Sequence, residues 1–408
     1  MVGEGKQPLT GVNVLDASHV IAGPYTTYQL ALLGAEVIRV ERIDGNDFVR
    51  RHGGTDEMKA NGLGASFLSQ NACKKSISLN LKHPRGVELF HRLARKADVV
   101  MENFRPGVVE RLRISFTDIA AVNPRVIYCS LSGYGATGPL ANTPAYDHIV
   151  QGLSGMMAMT GTLESGPMRV GFPIVDYIAG QTAALAILAA LAQRDRHGAV
   201  PQHLKVPMLD SLVSMMGAYA VDFESTGNLR GLQGNEAFSN SPFSGRFDTA
   251  SGHIVVTANT PGQAHRLCDV IDRSNLAAGL DAAAARGEFN ADQVVAIREA
   301  LKVAFAAASA EEWEHRLTLA DVPAAAVRTL AEILEHPQLR QSGLMQELVV
   351  PEIGTTVNVP GLPVQTDSWP ARTLTAAPTL GRDTDLILGR AGYSPSEIAE
   401  LRAEGVIA

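Results

Sequence analysis

The stretch GVNVLDASHVIAGP (residues 11–24), followed by LGAEVIRVER (residues 33–42), decides the reading of the fold. Val12–Asp16 is a short apolar run ending on an acid, as a buried strand does. Gly23-Pro24 opens a helical stretch over Pro24–Leu33, with proline near the first helical position, where its missing N–H is not needed. Gly34 closes that helix, and Glu36–Glu41 is the next strand. Further out, His83-Pro84 starts a helix that runs to about Ala97, and Asp98–Met101 and Val126–Ser130 read as further strands. Short apolar strands alternating with helices predict an α/β fold, a parallel sheet with helices on its faces. In such sheets ligands sit beyond the carboxyl ends of the strands. Chemistry is therefore expected in Ser18–Pro24, Arg42–Asp47, Glu102–Gly107 and Ser132–Pro139.

From Ala145 to Ser225 the pattern is helical, with Leu204–Pro207 a candidate strand inside it. The apolar run Tyr177–Ala192 contains Gly180 and Gln181 and is short for a bilayer span, so it reads as a buried central helix. Ser225–Phe247, rich in Gly, Asn and Ser, reads as a linker. A smaller unit follows, with a strand at His253–Ala258 and amphipathic helices at Pro261–Ile271, Asp292–Ala308 and Ala310–Thr318. The tail Val349–Val364 is strand-like and punctuated by Pro351, Gly354, Pro360 and Gly361.

A chain of 408 residues is long for one core, which favours two domains. With 46% hydrophobic and 19% charged residues the composition is globular. A net charge of −7 and a pI near 5.9 imply no broad basic face, so nucleic acid is not an expected partner. Cys73, Cys129 and Cys268 are too scattered for a disulfide framework or a zinc site. His19, His83 and His148 show no metal-ligand pairing. The first residues, MVGEGKQPLTG, have no apolar core of a signal peptide. The expected location is the cytoplasm, without a membrane association.

Four segments carry candidate chemistry. The turn after Asp16 has one glycine where a dinucleotide fingerprint needs three, which argues against NAD even though Glu41 ends the second strand as a ribose-binding acid would. In Glu102–Gly107, Asn103 offers an amide, Arg105 a guanidinium fork suited to phosphate, and Phe104 a flat face for a base; a polar turn with Pro-Gly punctuation is the plain alternative. In Ser132–Pro139, small residues let the backbone approach a ligand, or make a flexible turn. Asp176 precedes the long apolar helix. It reads as an N-cap and, if the positive helix end keeps it ionised, as a nucleophile. Lys74-Lys75 reads as a solvated surface pair or a phosphate contact. No G-x-S-x-G elbow supports a serine triad.

The order of these blocks resembles the class III CoA-transferase (CaiB/BaiF) family, which includes formyl-CoA transferase. Residues 11–24, 33–42, ACKKSISLNLKHPRG (72–86), ADVVMENFRPG (97–107), NPRVIYCSLSGYGATGP (123–139), PAYDHIVQGLSGMMAMTG (144–161) and GFPIVDYIAGQTAALAILAAL (171–191) carry the resemblance. So do GLMQELVVPEIGTTVNVPG (343–361) and Gly381–Thr384. The resemblance implies a Rossmann-like large domain built from both chain ends (1–225 and 331–408) and a smaller central α+β domain with its linker (226–330), in an interlocked homodimer. It implies Asp176 as catalytic residue and coenzyme A and acyl-CoA as substrates, with no tightly bound cofactor and no metal. CoA-binding positions carried over are His19, Ile21, Arg42, Asn71, Lys74, Asn103, Phe104, Arg105 and Arg111, with Ala145, Tyr146 and Asp147 beside the thioester. The implied activity moves CoA from an acyl-CoA, such as succinyl-CoA, to a short dicarboxylic acid through an aspartyl anhydride and an aspartyl-CoA thioester. Amides near Ser132–Gly135 are candidate oxyanion donors. Two features depart from relatives. Gly234–Gly245 lacks the glycine run of formyl-CoA transferases, which also carry glutamine at the position of Ile21. Tyr146 stands where α-methylacyl-CoA racemases carry a histidine base. Racemase-type isomerisation and a non-catalytic CoA-binding module are the alternative readings.

Overall fold

The computed structural model describes residues 6–236, 239, 241–277 and 289–408. Two compact units partition the chain: one contains residues 1–157, 169–229 and 341–408, the other 158–168 and 230–340.

The larger unit is organised by six strands: β1 (Asn13–Asp16), β2 (Glu36–Glu41), β3 (Lys74–Ser78), β4 (Val99–Glu102), β5 (Ile127–Ser132) and β6 (Gln202–Pro207). They pair in the order β3-β2-β1-β4-β5-β6, all parallel. Strand order reverses between β1 and β4, the switch point at which the crevice of a doubly wound sheet opens. The strands are covered on both sides, as parallel sheets are. Val14, Val37, Val99, Ile127 and Cys129 face one apolar core together with residues of α1 (Ala22–Leu32) and of a long helix described below. Leu15, Val40, Ile77, Val100 and Tyr128 face the other. That second core also contains Ile387, Leu388, Ile398, Leu401, Val406 and Ile407, so the two chain ends share one hydrophobic interior. Asn80 N–H donates to the Val406 carbonyl (2.8 Å) and Ala408 N–H to Ser78 Oγ (3.0 Å), which fixes the C-terminus beside β3.

Strand β3 lies in a segment that the sequence leaves as a charged pair on the surface. In the structure Lys74 is fully buried. Its ammonium donates to Asp16 Oδ2 (3.2 Å), Thr27 Oγ1 (2.8 Å) and the Pro24 carbonyl (2.8 Å). Burial pushes the lysine down to about 8. It would push Asp16 up, but the charges of Lys74 and Arg39 and hydrogen bonds from Ser18 and Thr27 hold that carboxyl below its ordinary range. One ion pair thus ties the end of β1, the first turns of α1 and the start of β3.

Two further helices place the site: α2 (Asp147–Leu153) and α3 (Ile174–His197). By length and composition α3 could cross a membrane, but 44% of its most apolar window is buried within the protein. It packs on α1 through small residues. A Cβ on Gly180 would lie 2.8 Å from the Ala22 carbonyl oxygen and 2.9 Å from the Tyr25 ring, so only glycine allows this approach. Thr26 Oγ1 donates to the Gly180 carbonyl across the same contact (3.1 Å).

The smaller unit has a three-stranded antiparallel sheet of Gly245–Asp248, His253–Val256 and Ala324–Ala326, with His253–Val256 central. Its core of Phe247, Ile254, Leu267, Leu301, Phe305, Trp313 and Leu317 is built with the helices Pro261–Val270, Ala291–Phe305 and Ala310–Leu319. Phe305 and Trp313 meet edge to face at 5.3 Å.

Replacing Lys74 by Met leaves Asp16 buried without its nearest counter-charge. Urea unfolding at pH 7 should show a loss of about 3–5 kcal/mol relative to wild type.

Candidate active site

The loops leaving β1 and β4 meet at the switch point. His19 N–H donates to Asn103 Oδ1 (2.9 Å) and Asn103 Nδ2 donates to the His19 carbonyl (2.8 Å). The His19 and Phe104 rings lie 5.5 Å apart. The structure therefore brings His19 against the Asn103-Phe104 pair, 84 positions away from Asn103 in sequence. Glu102, at the end of β4, accepts the Phe104 N–H (2.8 Å), and burial raises its carboxyl to about 7.

The β1 loop carries backbone strain. Val20 has φ +68°, a conformation that β-branched residues almost never adopt. It is held on both sides, its N–H donating to Asp47 Oδ2 (3.2 Å) and its carbonyl accepting from Gln70 Nε2 (3.2 Å). Gly23 is needed here for contact rather than for a phosphate cradle, since a Cβ there would come within 2.3 Å of Ser18 Cβ. Ile21 is the cap residue of α1 and packs half-buried against the apolar cluster that contains Tyr28, Val49 and Leu63.

Beneath the loop lies a buried charged frame. Arg39 bonds Asp47 and Asn71 Oδ1 (3.1 Å), and Arg50 forms a two-pronged pair with Glu41 (2.8 and 2.6 Å). Asn71 and Lys74, expected beside the phosphates of CoA, are fully buried, and both side chains bond inward, Asn71 to Arg39 and the Phe67 carbonyl, Lys74 to Asp16. Glu41, which resembles a ribose-binding acid in sequence, is the partner of Arg50 and Ser76. Arg42, Arg105 and Arg111 are exposed. Arg42 pairs with Asp44, while Arg105 and Arg111 form no ion pair among the described residues. Of these three, Arg105 and Arg111 are thus the guanidinium groups without a carboxylate partner among the described residues.

The second group of site residues surrounds the start of α3. Asp176 lies in the first turn, after the cap residue Pro173, which has no side chain able to accept an N–H. The cap comes instead from Asp147. Its Oδ2 accepts from Val175 N–H (2.7 Å) and Asp176 N–H (3.3 Å), and its Oδ1 accepts from Gln151 Nε2 (2.6 Å). Gln151 Oε1 in turn accepts from Val170 N–H (2.9 Å). The expectation that Asp176 is itself the cap and is kept ionised by the helix end is corrected by this geometry. Burial, and then the neighbouring Asp147 charge, raise Asp176 to about 7.

Ala145 and Tyr146 lead into α2. The β5 loop closes on Ala145 so tightly that a Cβ on Gly133 would sit 2.1 Å from Ala145 Cβ. In the same loop Gly135 N–H already donates to Ser132 Oγ (3.1 Å), so it is not free for an oxyanion. Tyr146 is exposed, and the nearly parallel ring of His148 lies 6.4 Å from it. Three residues with no distinctive signal of their own complete the neighbourhood. Gln181 Nε2 donates to Tyr25 Oη (2.8 Å), and the Tyr25 and Tyr177 rings meet edge to face at 4.8 Å. Helix α1 therefore joins the two groups, its start beside the His19 loop and its flank against the first turns of α3. Of the loop Gly234–Gly245, residues 237, 238 and 240 lie outside the described residues.

Residues 9–384 match the family described as CoA-transferase family III. This chain belongs to that family. It is 32% identical over 391 residues to the succinate–glutarate CoA-transferase of Agrobacterium fabrum, covering 94% of this chain and 95% of the relative. It is 34% identical to the acetyl-CoA:oxalate CoA-transferase of Acetobacter aceti (89% and 90% covered), and 32% identical to the succinyl-CoA:mesaconate CoA-transferase of Haloarcula marismortui (89% and 91% covered). Among solved structures, a CaiB/BaiF family protein from Brucella suis superposes with a TM-score of 0.81 at 26% identity, covering 95% of this chain and all of that one. Rv3272 from Mycobacterium tuberculosis superposes with a TM-score of 0.79 at 29% identity, covering 94% and 99%.

The raised Asp176 has a signature in stability. Because its folded value lies above the unfolded one near 3.8, folding takes up a proton, and its stabilising effect is lost as pH rises from about 4 to about 7. Asp176→Asn does not suffer that loss. Its stability relative to wild type should climb over this window by up to about 4 kcal/mol, measured by denaturant unfolding at a series of pH values.

Proposed function

We propose that this protein transfers CoA from an acyl-CoA, succinyl-CoA being the favoured donor, to a short dicarboxylic acid, with Asp176 as nucleophile. The observation that carries the reading is the Asp176 carboxylate, half-buried at the start of α3 and raised to about 7, in a chain of CoA-transferase family III. The substrate class rests on the relatives named for succinate and glutarate, for oxalate, and for mesaconate.

The Asp176 carboxylate attacks the thioester carbonyl of the donor. The C–S bond breaks, CoA leaves as thiolate, and a mixed anhydride remains. The thiolate then attacks the aspartyl carbonyl, releasing the donor acid as carboxylate and leaving an aspartyl-CoA thioester. The acceptor carboxylate attacks that thioester, and the returning thiolate takes the new acyl group and frees Asp176. Every step exchanges carboxylate and thiolate at an acyl carbon, so the thioester energy is retained. A carboxylate with a raised pKa is a stronger nucleophile than an ordinary one once it is ionised. Exclusion of water protects the anhydride. His19, Phe104 and Asn103 are proposed to line the CoA site, with Arg42, Arg105 and Arg111 contributing charge to its phosphates.

The exposed apolar residues Leu185, Met215, Val221, Phe223 and Leu229 on and after α3 support a homodimer in which a second copy covers this face. Three buried, unpaired cysteines support a reducing, cytoplasmic location. Sedimentation should give twice the 43.3 kDa chain mass, and the unfolding midpoint should rise with protein concentration.

Asp176→Ala should lower transfer by ~10³-fold or more while CoA binding persists. Donor-dependent hydroxamate formation at Asp176 on adding hydroxylamine, read by peptide mass spectrometry, tests the acyl intermediate directly. Wild-type turnover in the alanine variant would overturn the assignment. In the wild type, kcat/KM should rise with pH and level off above about 7, as the carboxylate ionises.

A further inference from the structure

A cavity of about 230 Å³ lies at the amino ends of the sheet's strands, where β1 and β2 begin. It opens between the helices Pro84–Ala94 and Thr384–Arg390, both of which end there. Its floor is apolar. Leu15 and Ile387 belong to the core beneath it, and Ile38 and Leu93 pack against that core. Its rim carries Arg92, Lys96 and Arg390 against one carboxylate, Glu36.

That carboxylate is already neutralised, by Lys75 (2.5 Å) and by Arg390 (3.2 Å). The Arg92 guanidinium lies over the Tyr393 ring at 4.4 Å. Neither Arg92 nor Lys96 forms an ion pair among the described residues. Arg92 and Arg390 stand in the last turns of their helices, where a cation offsets the helix dipole. The dipole accounts for a cation on each helix. It does not account for Lys96, or for three cations lining one apolar-floored cavity in a chain whose net charge is −7.

We propose that this cavity binds a small organic monocarboxylate with an apolar body. The carboxylate sits at the rim, between Lys96 and Arg92, where charge-assisted hydrogen bonds are strong. The body covers Leu15, Ile38, Leu93 and Ile387 and displaces the water there. The volume falls below the ~300 Å³ at which drug-sized sites begin, which excludes a nucleotide. A bare inorganic anion leaves the floor wet. A dicarboxylate would have to press its second charge against apolar side chains, which is costly. The cavity thus selects a class of acid different from the short dicarboxylates proposed for the transfer reaction, and it lies at the amino ends of the strands rather than at their carboxyl ends.

The test is calorimetric titration of the full-length protein with octanoate, and separately with succinate, in the presence of saturating CoA. Octanoate should bind saturably at one site per chain, and equally well in Asp176→Ala. Loss of one charge-assisted contact should weaken it at least ~10-fold in Lys96→Glu, a variant at an exposed position whose fold is checked by circular dichroism. The inference is overturned by absent octanoate binding, by tighter binding of succinate, or by octanoate affinity unchanged in Lys96→Glu. Since the readout is binding rather than turnover, neither result bears on the transfer reaction.

Discussion

The carboxylate of Asp147 is the constraint on which the candidate site depends. The first turn of any helix leaves N–H groups without partners, and α3 begins after a proline that offers none. Asp147, buried at the head of another helix, supplies an oxygen to two of them and uses its other oxygen on Gln151. A buried charge is tolerable when it is bonded this fully. The consequence falls on its neighbour. With one negative charge already committed beside it, and with little water, Asp176 cannot ionise at the usual cost. One side chain therefore fixes the backbone of Asp176 and adds its charge to the burial that raises the Asp176 carboxyl. A local N-cap, in which Asp176 accepted its own helix's amides, would do the reverse and hold the carboxyl low.

The layer below the strand ends shows the same economy of charge. Asp16 and Lys74, Arg39 and Asp47, Glu41 and Arg50 are consumed in pairs below the strand ends. They hold the β1 loop against a strained Val20, whose N–H and carbonyl are both tied to this layer. Strain of this kind persists only where the surroundings over-determine it, and it concentrates at ligand sites. The frame leaves little charge to spare among the buried cations, while Arg42, Arg105 and Arg111 stay exposed. An acidic protein can then bind an acidic substrate locally, without a basic face.

Much of the frame was legible in sequence because its signals are local. Short apolar runs with helices between them mark β1, β2, β4 and β5 and the loops that follow them, and Leu204–Pro207 marks most of β6. Strand β3 was not legible. Its first residue is a lysine that becomes buried only because Asp16, 58 positions earlier, is there to receive it, and sequence periodicity carries no trace of such a pair. The inward-facing Asn71 was missed for the same reason. The capping bond from Asp147 was not legible because a helix cap is sought among immediate neighbours, while this one arrives from a separate helix. Tyr25 and Gln181 had no pattern of their own and became visible only when α1 and α3 were seen to pack through Gly180.

The arrangement also bears on which chemistry suits the site. Moving an α-proton between the faces of an acyl-CoA takes two groups, one to remove the proton and one to return it. Position 146, where the racemases place their base, holds a tyrosine that is exposed and lies beside the ring of His148. Asp176 has as its charged neighbour Asp147, another carboxylate, which raises its affinity for a proton but cannot serve as a second base while capping α3. A lone carboxylate near neutrality is poorly equipped for two-base proton traffic. It is well suited to exchanging places with other carboxylates at an acyl carbon, where nucleophile and leaving group are of the same kind and no proton need move. In such an exchange the protein's task is to hold the carboxylate in place, and the Asp147 cap fixes the backbone that carries it.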